Sequence, residues 1–236
     1  LPIYNTLDVI NKYKDSISLI ISESDLGIYD AMNKGIRYSK GDWVYFLGGD
    51  DILYNNQVLK NIFYNKDFKN KEVIYGNVLT KQNRIVFDGQ FDLIKHFNKS
   101  VCQQAIFYKK KVFNNKSFEI KYITTADYVF NIKHLSKNSS LWMYIPQIIC
   151  EYNETGASFV KKDLEYINNN FLLRFSNFKS LIPKIILARL IYPSFINYFR
   201  SHSFLNSSKN LIQFIKHVGL FRIIRVVIMR LIKRNG

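Results

Sequence analysis

Cysteine and histidine, the residues of disulfide frameworks and zinc sites, are scarce in this chain. Its 236 residues include two cysteines, Cys102 and Cys150, and four histidines. Both cysteines stand alone and the histidines are scattered, so neither set has the spacing of a metal site. The scarcity of cysteine also argues against a disulfide-stapled domain and is typical of a protein from a reducing compartment.

Acidic residues are absent from the last part of the sequence. None of the 18 Asp and Glu residues lies after Glu165, whereas 12 of the 34 Lys and Arg residues do. The first 165 residues are therefore nearly balanced, with 22 basic and 18 acidic residues, although the whole chain carries a net charge of +16. This composition predicts two parts, a body over residues 1–165 and a basic, apolar tail over residues 166–236.

Uninterrupted hydrophobic runs long enough to span a membrane are also lacking. Residues 181–199 are apolar but contain Lys184, Arg189 and two prolines, which disfavours a spanning helix. Residues 211–234 are predicted to form a helix with basic side chains on one half and apolar ones on the other. Such a helix suits the surface of an anionic membrane, and the alternative is a helical subdomain that packs on the body. The basic side chains are those of Lys216, Arg222, Arg225, Arg230 and Lys233.

Apolar runs and helical patterns alternate along the body. This alternation predicts an α/β fold whose sheet is buried on both faces. The predicted strands cover residues 16–21, 43–47, 73–79 and 84–87, and the predicted helices cover residues 6–14, 28–38, 56–63 and 128–134.

Two adjacent carboxylates, Asp50 and Asp51, follow the predicted strand at 43–47. Ligands of open α/β sheets bind at the carboxyl ends of the strands, so this pair lies where a site is expected. Because like charges repel, two adjacent carboxylates need a cation or hydrogen bonds to stay ionised. Their hard oxygen atoms suit Mg²⁺ or Mn²⁺. The alternative is a simple turn, because Gly-Gly-Asp-Asp is also good turn chemistry.

The segment SESDLGIYDAMNKGIRYSKGDWVYFLGGDD, residues 22–51, resembles the family-2 glycosyltransferases of the GT-A fold. It is most similar to the bacterial branch that builds surface polysaccharides, and the likeness covers roughly residues 5–160. The resemblance implies a Rossmann-like mixed sheet that binds a nucleotide-sugar. Shorter matching segments lie at residues 74–77, 102–108, 126–128 and, weakly, 154–158.

The resemblance also implies roles for residues near the donor. Asp51 would bind Mn²⁺ or Mg²⁺, and Asp50 would face the ribose or a phosphate-linked water. Asp25 matches a position that helps to hold the base, although it also suits a helix cap. Asn33 and Lys34 lie on the following helix, where Lys34 would reach phosphate or would simply be solvated.

Asp127 matches the carboxylate that takes the proton of the acceptor hydroxyl in inverting sugar transfer. Taken alone, it would more simply cap the helix predicted at 128–134. Gln103 and Gln104 match a position where the family often has His-Gln. Their amides are expected to contact sugar or diphosphate oxygens, without handling protons.

One departure from the family concerns the start of the chain. Relatives begin with two strands that carry nucleotide-binding motifs, and residues 1–5 supply neither motif. We therefore expect an N-terminally truncated domain that, on its own, binds nucleotide weakly or is inactive.

The expected activity is inverting transfer from a nucleotide-sugar, by default a UDP-sugar, to a lipid-linked or saccharide acceptor. The expected location is the inner face of the bacterial cell membrane, with the basic tail on the anionic surface. One alternative is a non-catalytic, membrane-associated assembly component. Nucleic-acid binding has only the high isoelectric point in its favour and no motif, so we expect no nucleic-acid partner.

Overall fold

The computed structural model of the chain describes residues 6–64, 68, 70–154, 162–184, 186–191, 193, 204–219 and 223. The helices are α1 (Thr6–Lys12), α2 (Ile28–Tyr38), α3 (Val58–Phe63), α4 (Leu93–Asn98), α5 (Ala126–Asn138), α6 (Leu164–Phe178) and α7 (Phe204–Val218). The strands are β1 (Trp43–Tyr45), β2 (Ile52–Leu53), β3 (Val73–Thr80), β4 (Val86–Phe87), β5 (Ile106–Lys109) and β6 (Trp142–Tyr152).

The strands form one mixed sheet in the order β1-β5-β3-β6-β2, and β4 pairs with β3. Strands β3 and β6 are parallel, whereas β5 runs antiparallel to both of its neighbours, β1 and β3. It follows that β1, β3 and β6 point the same way. Their carboxyl ends and the amino end of β5 therefore meet at one edge of the sheet, which we call the C-edge.

Strand β3 forms the centre of the sheet, and all eight of its residues are buried. Its sequence, VIYGNVLT, is rich in the β-branched and aromatic residues that pack well on a pleated surface. The register between β3 and β6 shifts around Gly76, which has no side chain to obstruct the bulged partner strand. Helix α5 contributes eight buried residues to the core beneath the sheet.

The helix predicted at 28–38 is confirmed with the same bounds, and the strand predicted at 43–47 is confirmed as β1, which ends earlier, at Tyr45. The strand predicted at 16–21 is wrong: a short 3₁₀ turn, Lys14–Ser16, is followed by a stretch without regular secondary structure. Its apolar side chains, including Leu19 and Ile21, are exposed. A strand needs a neighbour for its backbone groups, and no strand among the described residues lies beside this stretch.

The helices after residue 163 pack on the body. Phe171 and Phe175 of α6 meet Phe214 of α7 edge-on, and Phe178 contacts Phe97 of α4. The boundary predicted between residues 165 and 166 falls in the first turn of α6. Residues 220–222 and 224–234 of the predicted amphipathic helix lie outside the described part of the chain, as do 155–158 of the weak family match. No helix within the described residues is long and apolar enough to cross a membrane.

Candidate active site

Asp50 and Asp51 follow β1 at the C-edge and are tied to the end of β6. Asp51 is only 6% exposed, and its Oδ1 accepts a hydrogen bond of 2.9 Å from the backbone N–H of Asn153. The side-chain amide of Asn153 donates to Asp50 Oδ2 at 2.8 Å. The backbone N–H of Asp51 donates to the Gly48 carbonyl at 3.1 Å, which closes a turn. The turn predicted as an alternative is therefore present, and it presents the carboxylate pair.

Position 48 requires a glycine because the carboxylates of Asp50 and Asp51 occupy the space that a side chain would need. A β-carbon added to Gly48 would lie 2.7 Å from Asp51 Oδ2 and 3.1 Å from Asp50 Oδ1. The first of these distances is shorter than real contacts of a β-carbon. A side chain at position 48 would displace the carboxylates.

The carboxylate pair fits a divalent ion whose coordination a ligand completes. In the portion that the structure describes, no cluster of three His, Cys, Asp or Glu side chains could hold a metal ion. Mg²⁺ and Mn²⁺ need fewer protein ligands where waters and substrate phosphates supply the rest. Asp51 Oδ2 and Asp50 Oδ1 accept no hydrogen bond from the described residues, so one hard oxygen on each side chain is available.

Gln103 and Gln104 precede β5 at the same edge. The carbonyl of Gln104 accepts hydrogen bonds from the Tyr45 hydroxyl at 2.9 Å and from Cys150 Sγ at 3.2 Å. Gln103 Oε1 lies 3.2 Å from the Tyr108 hydroxyl, whose one proton is donated to Asn131 Oδ1 at 2.8 Å. Gln103 Nε2 is buried and has no acceptor among the described residues. A buried donor without a partner is costly, which makes it a candidate contact for a ligand oxygen.

Asp127 lies in the first turn of α5, and the Tyr29 hydroxyl donates a hydrogen bond of 2.7 Å to its Oδ1. Burial raises the pKa of Asp127 above its ordinary value. The hydrogen bond from Tyr29 and backbone N–H groups at the start of the helix oppose that rise. The side chain thus has the anion-stabilising contacts of a carboxylate base in a partly buried position.

Cys102 connects the two acidic positions. Burial raises the pKa of its thiol, and the negative charges of Asp127 and Asp51 raise it further. The geometric link is Tyr108, whose hydroxyl contacts both Gln103 at the C-edge and Asn131, which lies one helical turn after Asp127 on α5. The structure therefore brings together five of the predicted site residues: Asp50, Asp51, Gln103, Gln104 and Asp127.

Asp163 is a site residue that the sequence analysis missed. It is 4% exposed and caps α6 by accepting from the backbone N–H of Tyr166 at 3.1 Å. Its other oxygen accepts from the backbone N–H of Thr124 and Thr125 and from the Thr125 hydroxyl, at 2.9–3.2 Å. These contacts fix the loop that delivers Asp127. The sequence carries a signal for the helix cap, but none for partners 38 residues away.

Asp25 and Lys34 form a separate cluster. Lys34 Nζ contacts Asp25 Oδ1 and Glu23 Oε1, both at 2.7 Å. Hydrogen bonds to these two carboxylates raise the pKa of Lys34 above its ordinary value, so the lysine keeps its positive charge. The negative charges of the two carboxylates already balance it. The cluster lines a groove of about 720 Å³ between residues 18–25 and one face of α2. It does not contact Asp50 or Asp51 directly.

Asn33 is occupied within the fold. Its Nδ2 donates to the Phe118 carbonyl and its Oδ1 accepts from the Phe118 N–H, both at 2.9 Å. This pair of bonds ties α2 to the segment that precedes α5. To contact a sugar, the Asn33 amide would have to release Phe118.

Three kinds of comparison identify the family. The sequence model described as glycosyl transferase family 2 matches residues 4–137. The PGL/p-HBAD biosynthesis glycosyltransferase of Mycobacterium bovis BCG is 32% identical over 158 residues, which are 64% of this chain and 62% of that protein. The poly(ribitol-phosphate) β-N-acetylglucosaminyltransferase TarP of Staphylococcus aureus is 28% identical over 150 residues, 58% of this chain and 46% of that protein.

Solved structures share the fold at low sequence identity. S. aureus TarS 1–349 in complex with UDP superposes with a TM-score of 0.60 at 16% identity, covering 94% of this chain and 68% of that one. The same protein in complex with UDP-GlcNAc gives 0.54 at 15% identity, covering 90% of this chain and 60% of that one. The chain spans about 62% of the length of its mycobacterial relatives. Because the family model covers more than half of the chain, and because the mixed sheet has the GT-A arrangement, this protein belongs to glycosyl transferase family 2.

Proposed function

We propose that the chain carries the catalytic site of an inverting glycosyltransferase in bacterial polysaccharide biosynthesis. The observation that carries the proposal is the meeting of the Asp50–Asp51 pair, Gln103 and Asp127 at the C-edge. The donor would be a UDP-sugar, in line with the UDP and UDP-GlcNAc named for the TarS complexes. The acceptor would be a lipid-linked or soluble saccharide.

Sugar transfer with inversion needs one proton acceptor and one leaving group. The acceptor hydroxyl oxygen attacks the anomeric carbon, and the bond from that carbon to the diphosphate oxygen breaks. The leaving nucleoside diphosphate takes the electron pair of that bond, and Asp127 takes the proton of the hydroxyl. Partial burial of Asp127 suits it to this task, because a raised pKa makes the carboxylate a better base.

The donor diphosphate would be held by groups that lie at the C-edge. Asp51, with Asp50 beside it, would hold Mn²⁺ or Mg²⁺, which supplies neutralisation of charge on the leaving diphosphate. Gln103 Nε2, a buried donor without an acceptor among the described residues, would bind a diphosphate or sugar oxygen. Asp25 faces the groove beside α2 and stays the predicted contact for the base.

The proposed location is the inner face of the cell membrane, where a lipid-linked acceptor is presented. Support comes from residues 166–236, which carry 12 Lys and Arg residues and no acidic residue. Binding of the chain to anionic vesicles is the measurement that tests this part of the proposal.

The direct test of the proposed function is UDP release from UDP-GlcNAc, combined with a thermal shift with UDP. A ligand that binds only the folded chain raises its midpoint by mass action. We expect UDP to raise the midpoint in the presence of Mn²⁺, and Asp51→Ala to abolish that rise. Asp127→Asn should keep the rise and lower UDP release about 10²-fold or more, the usual size of a general-base contribution.

Asp42→Asn is the matched control, because Asp42 is an exposed carboxylate just before β1, at the opposite end of the same strand. It should leave both readouts unchanged. A folded chain that shows no midpoint shift with UDP and Mn²⁺, and no UDP release, would contradict the proposed function and favour a non-catalytic relative.

A further inference from the structure

Tyr29 is held in place from two sides. It lies in the first turn of α2, which starts after Gly27, a residue at φ +127° that suits glycine. Its ring packs against Phe118 with centroids 5.6 Å apart, and the residue is buried. The orientation of its hydroxyl toward Asp127 is therefore a property of the fold.

The hydrogen bond between these residues runs from the Tyr29 hydroxyl to Asp127 Oδ1. Burial, and then the charge of Asp127, raise the pKa of Tyr29 far above its ordinary value, so the phenol keeps its proton. An ionised carboxylate can only accept, so Tyr29 is the donor. The bond of 2.7 Å is at the short distance expected of a charge-assisted pair.

The other titratable groups near Asp127 do not offer such a contact. Cys102 and Tyr108, before and within β5, feel the charge of Asp127, but burial raises the pKa of each and keeps both neutral. Asp163, before α6, acts on Tyr29 through its negative charge. Among the described side chains, Tyr29 is the one that donates a hydrogen bond to Asp127.

We propose that Tyr29 is a positioning residue for the base: its hydroxyl fixes the Asp127 carboxylate in one orientation and stabilises its ionised form. This role rests on the proposed function of Asp127. Burial favours the protonated carboxyl, which cannot accept a proton. The hydrogen bond from Tyr29 opposes this effect of burial on the pKa and favours the ionised carboxylate, the form that accepts a proton.

The test is Tyr29→Phe in the full chain, which keeps the ring packing and removes the donor. The Cγ resonance of Asp127 is followed by pH titration of ¹³C-aspartate-labelled protein and assigned with Asp127→Asn. We expect the midpoint to rise by about one pH unit, since a hydrogen bond to a charged group is worth at least that much. The acidic limb of kcat/KM for UDP release should move up by the same amount, and activity should be restored at higher pH.

Tyr128→Phe is the matched control. Tyr128 neighbours Asp127 and is also buried, but its hydroxyl donates to the carbonyls of His96 and Phe97. It should lose stability without moving the midpoint of Asp127. A midpoint that stays unchanged in Tyr29→Phe would overturn the inference, even where Asp127→Asn still abolishes transfer. Conversely, full transfer by Asp127→Asn would overturn the base assignment and leave the tyrosine bond a structural contact.

Discussion

The adjacent carboxylates of Asp50 and Asp51 are tolerated because one residue, Asn153, donates a hydrogen bond to each of them. Asn153 donates its backbone N–H to one and its side-chain amide to the other. Lys81, which follows β3, donates to the Asp50 carbonyl. These donors come from the ends of β6 and β3, so the pair depends on the order of strands in the sheet. A divalent ion would neutralise the charge that remains.

At Gly76 a single β-carbon is predicted to destabilise the sheet. In Gly76→Ala the added carbon would lie 2.5 Å from the Gln147 carbonyl oxygen and 2.8 Å from Ile149 Cγ1. The first of these is backbone of β6 and cannot turn aside. We expect the free energy of unfolding to fall by about 2–3 kcal/mol, as for an overpacked core. The measurement is urea unfolding: the midpoint should fall, and the slope of the free energy of unfolding against urea concentration should stay unchanged.

Gly35→Ala provides the comparison within the same chain. Gly35 lies in α2, and nothing is within 4 Å of the position of its β-carbon. Alanine is favoured over glycine inside a helix, so this variant should gain up to about 1 kcal/mol. Equal losses in both variants would show that close approach at Gly76 is not the cause.

At the scale of elements, Asp163 joins the start of α6 to the loop before α5. Asp163→Ala would remove the cap of α6 and the hydrogen bonds that its side chain accepts from the N–H groups of Thr124 and Thr125. We expect a loss of about 2–4 kcal/mol in the free energy of unfolding, more than a cap alone contributes. Hydrogen exchange of residues 124–128 should also become faster, because the loop that carries Asp127 is released.

The control for this prediction is a second aspartate cap. Asp92 caps α4 by accepting from the Lys95 N–H at 2.7 Å, and it is exposed. Asp92→Ala should cost about 1 kcal/mol and leave exchange at residues 124–128 unchanged. A similar cost in both variants, with no change in exchange, would mean that Asp163 acts as a cap alone.

Local patterns predicted the elements better than they predicted the contacts between them. Helix α2 and strand β1 were predictable because their periodicity and their bounding Gly residues lie within the segment itself. Residues 16–21 have equally strong β composition, but a strand also requires a partner, which composition does not report. Likewise, the motif pointed to Asp127 as the base, whereas the Tyr29 hydroxyl that holds it comes from 98 residues away.

At the scale of the whole molecule, the tail contains both buried apolar residues and exposed basic residues. Phe214 and Val218 of α7 are buried, and Phe214 packs on Phe171 and Phe175 of α6, which itself contacts the body through Phe178 and Phe97. Lys216 of the same helix is exposed. The remaining basic residues of the predicted amphipathic helix lie outside the described residues. The membrane-surface role of the tail stays a prediction that the whole chain can test.

That prediction is binding to anionic vesicles. The chain should sediment with vesicles that contain about 30% phosphatidylglycerol, and not with neutral phosphatidylcholine, because each Lys or Arg near an anionic surface contributes about 1 kcal/mol. Binding should fall as salt rises from about 50 to 300 mM, since screening shortens the reach of surface charges. Binding to duplex DNA at the same salt, without vesicle binding, would favour the nucleic-acid alternative instead.

Two triple variants with the same net charge distinguish vesicle binding by the tail from attraction by the overall net charge of +16. One neutralises three tail arginines and the other three exposed lysines of the body, each by substitution with Gln. If the tail is the binding element, only the first variant should lose most of its vesicle binding. Equal losses would mean that overall charge attracts the chain, and the tail would then have no special role at the membrane. The tail set is Arg222, Arg225 and Arg230, and the body set is Lys12, Lys60 and Lys137.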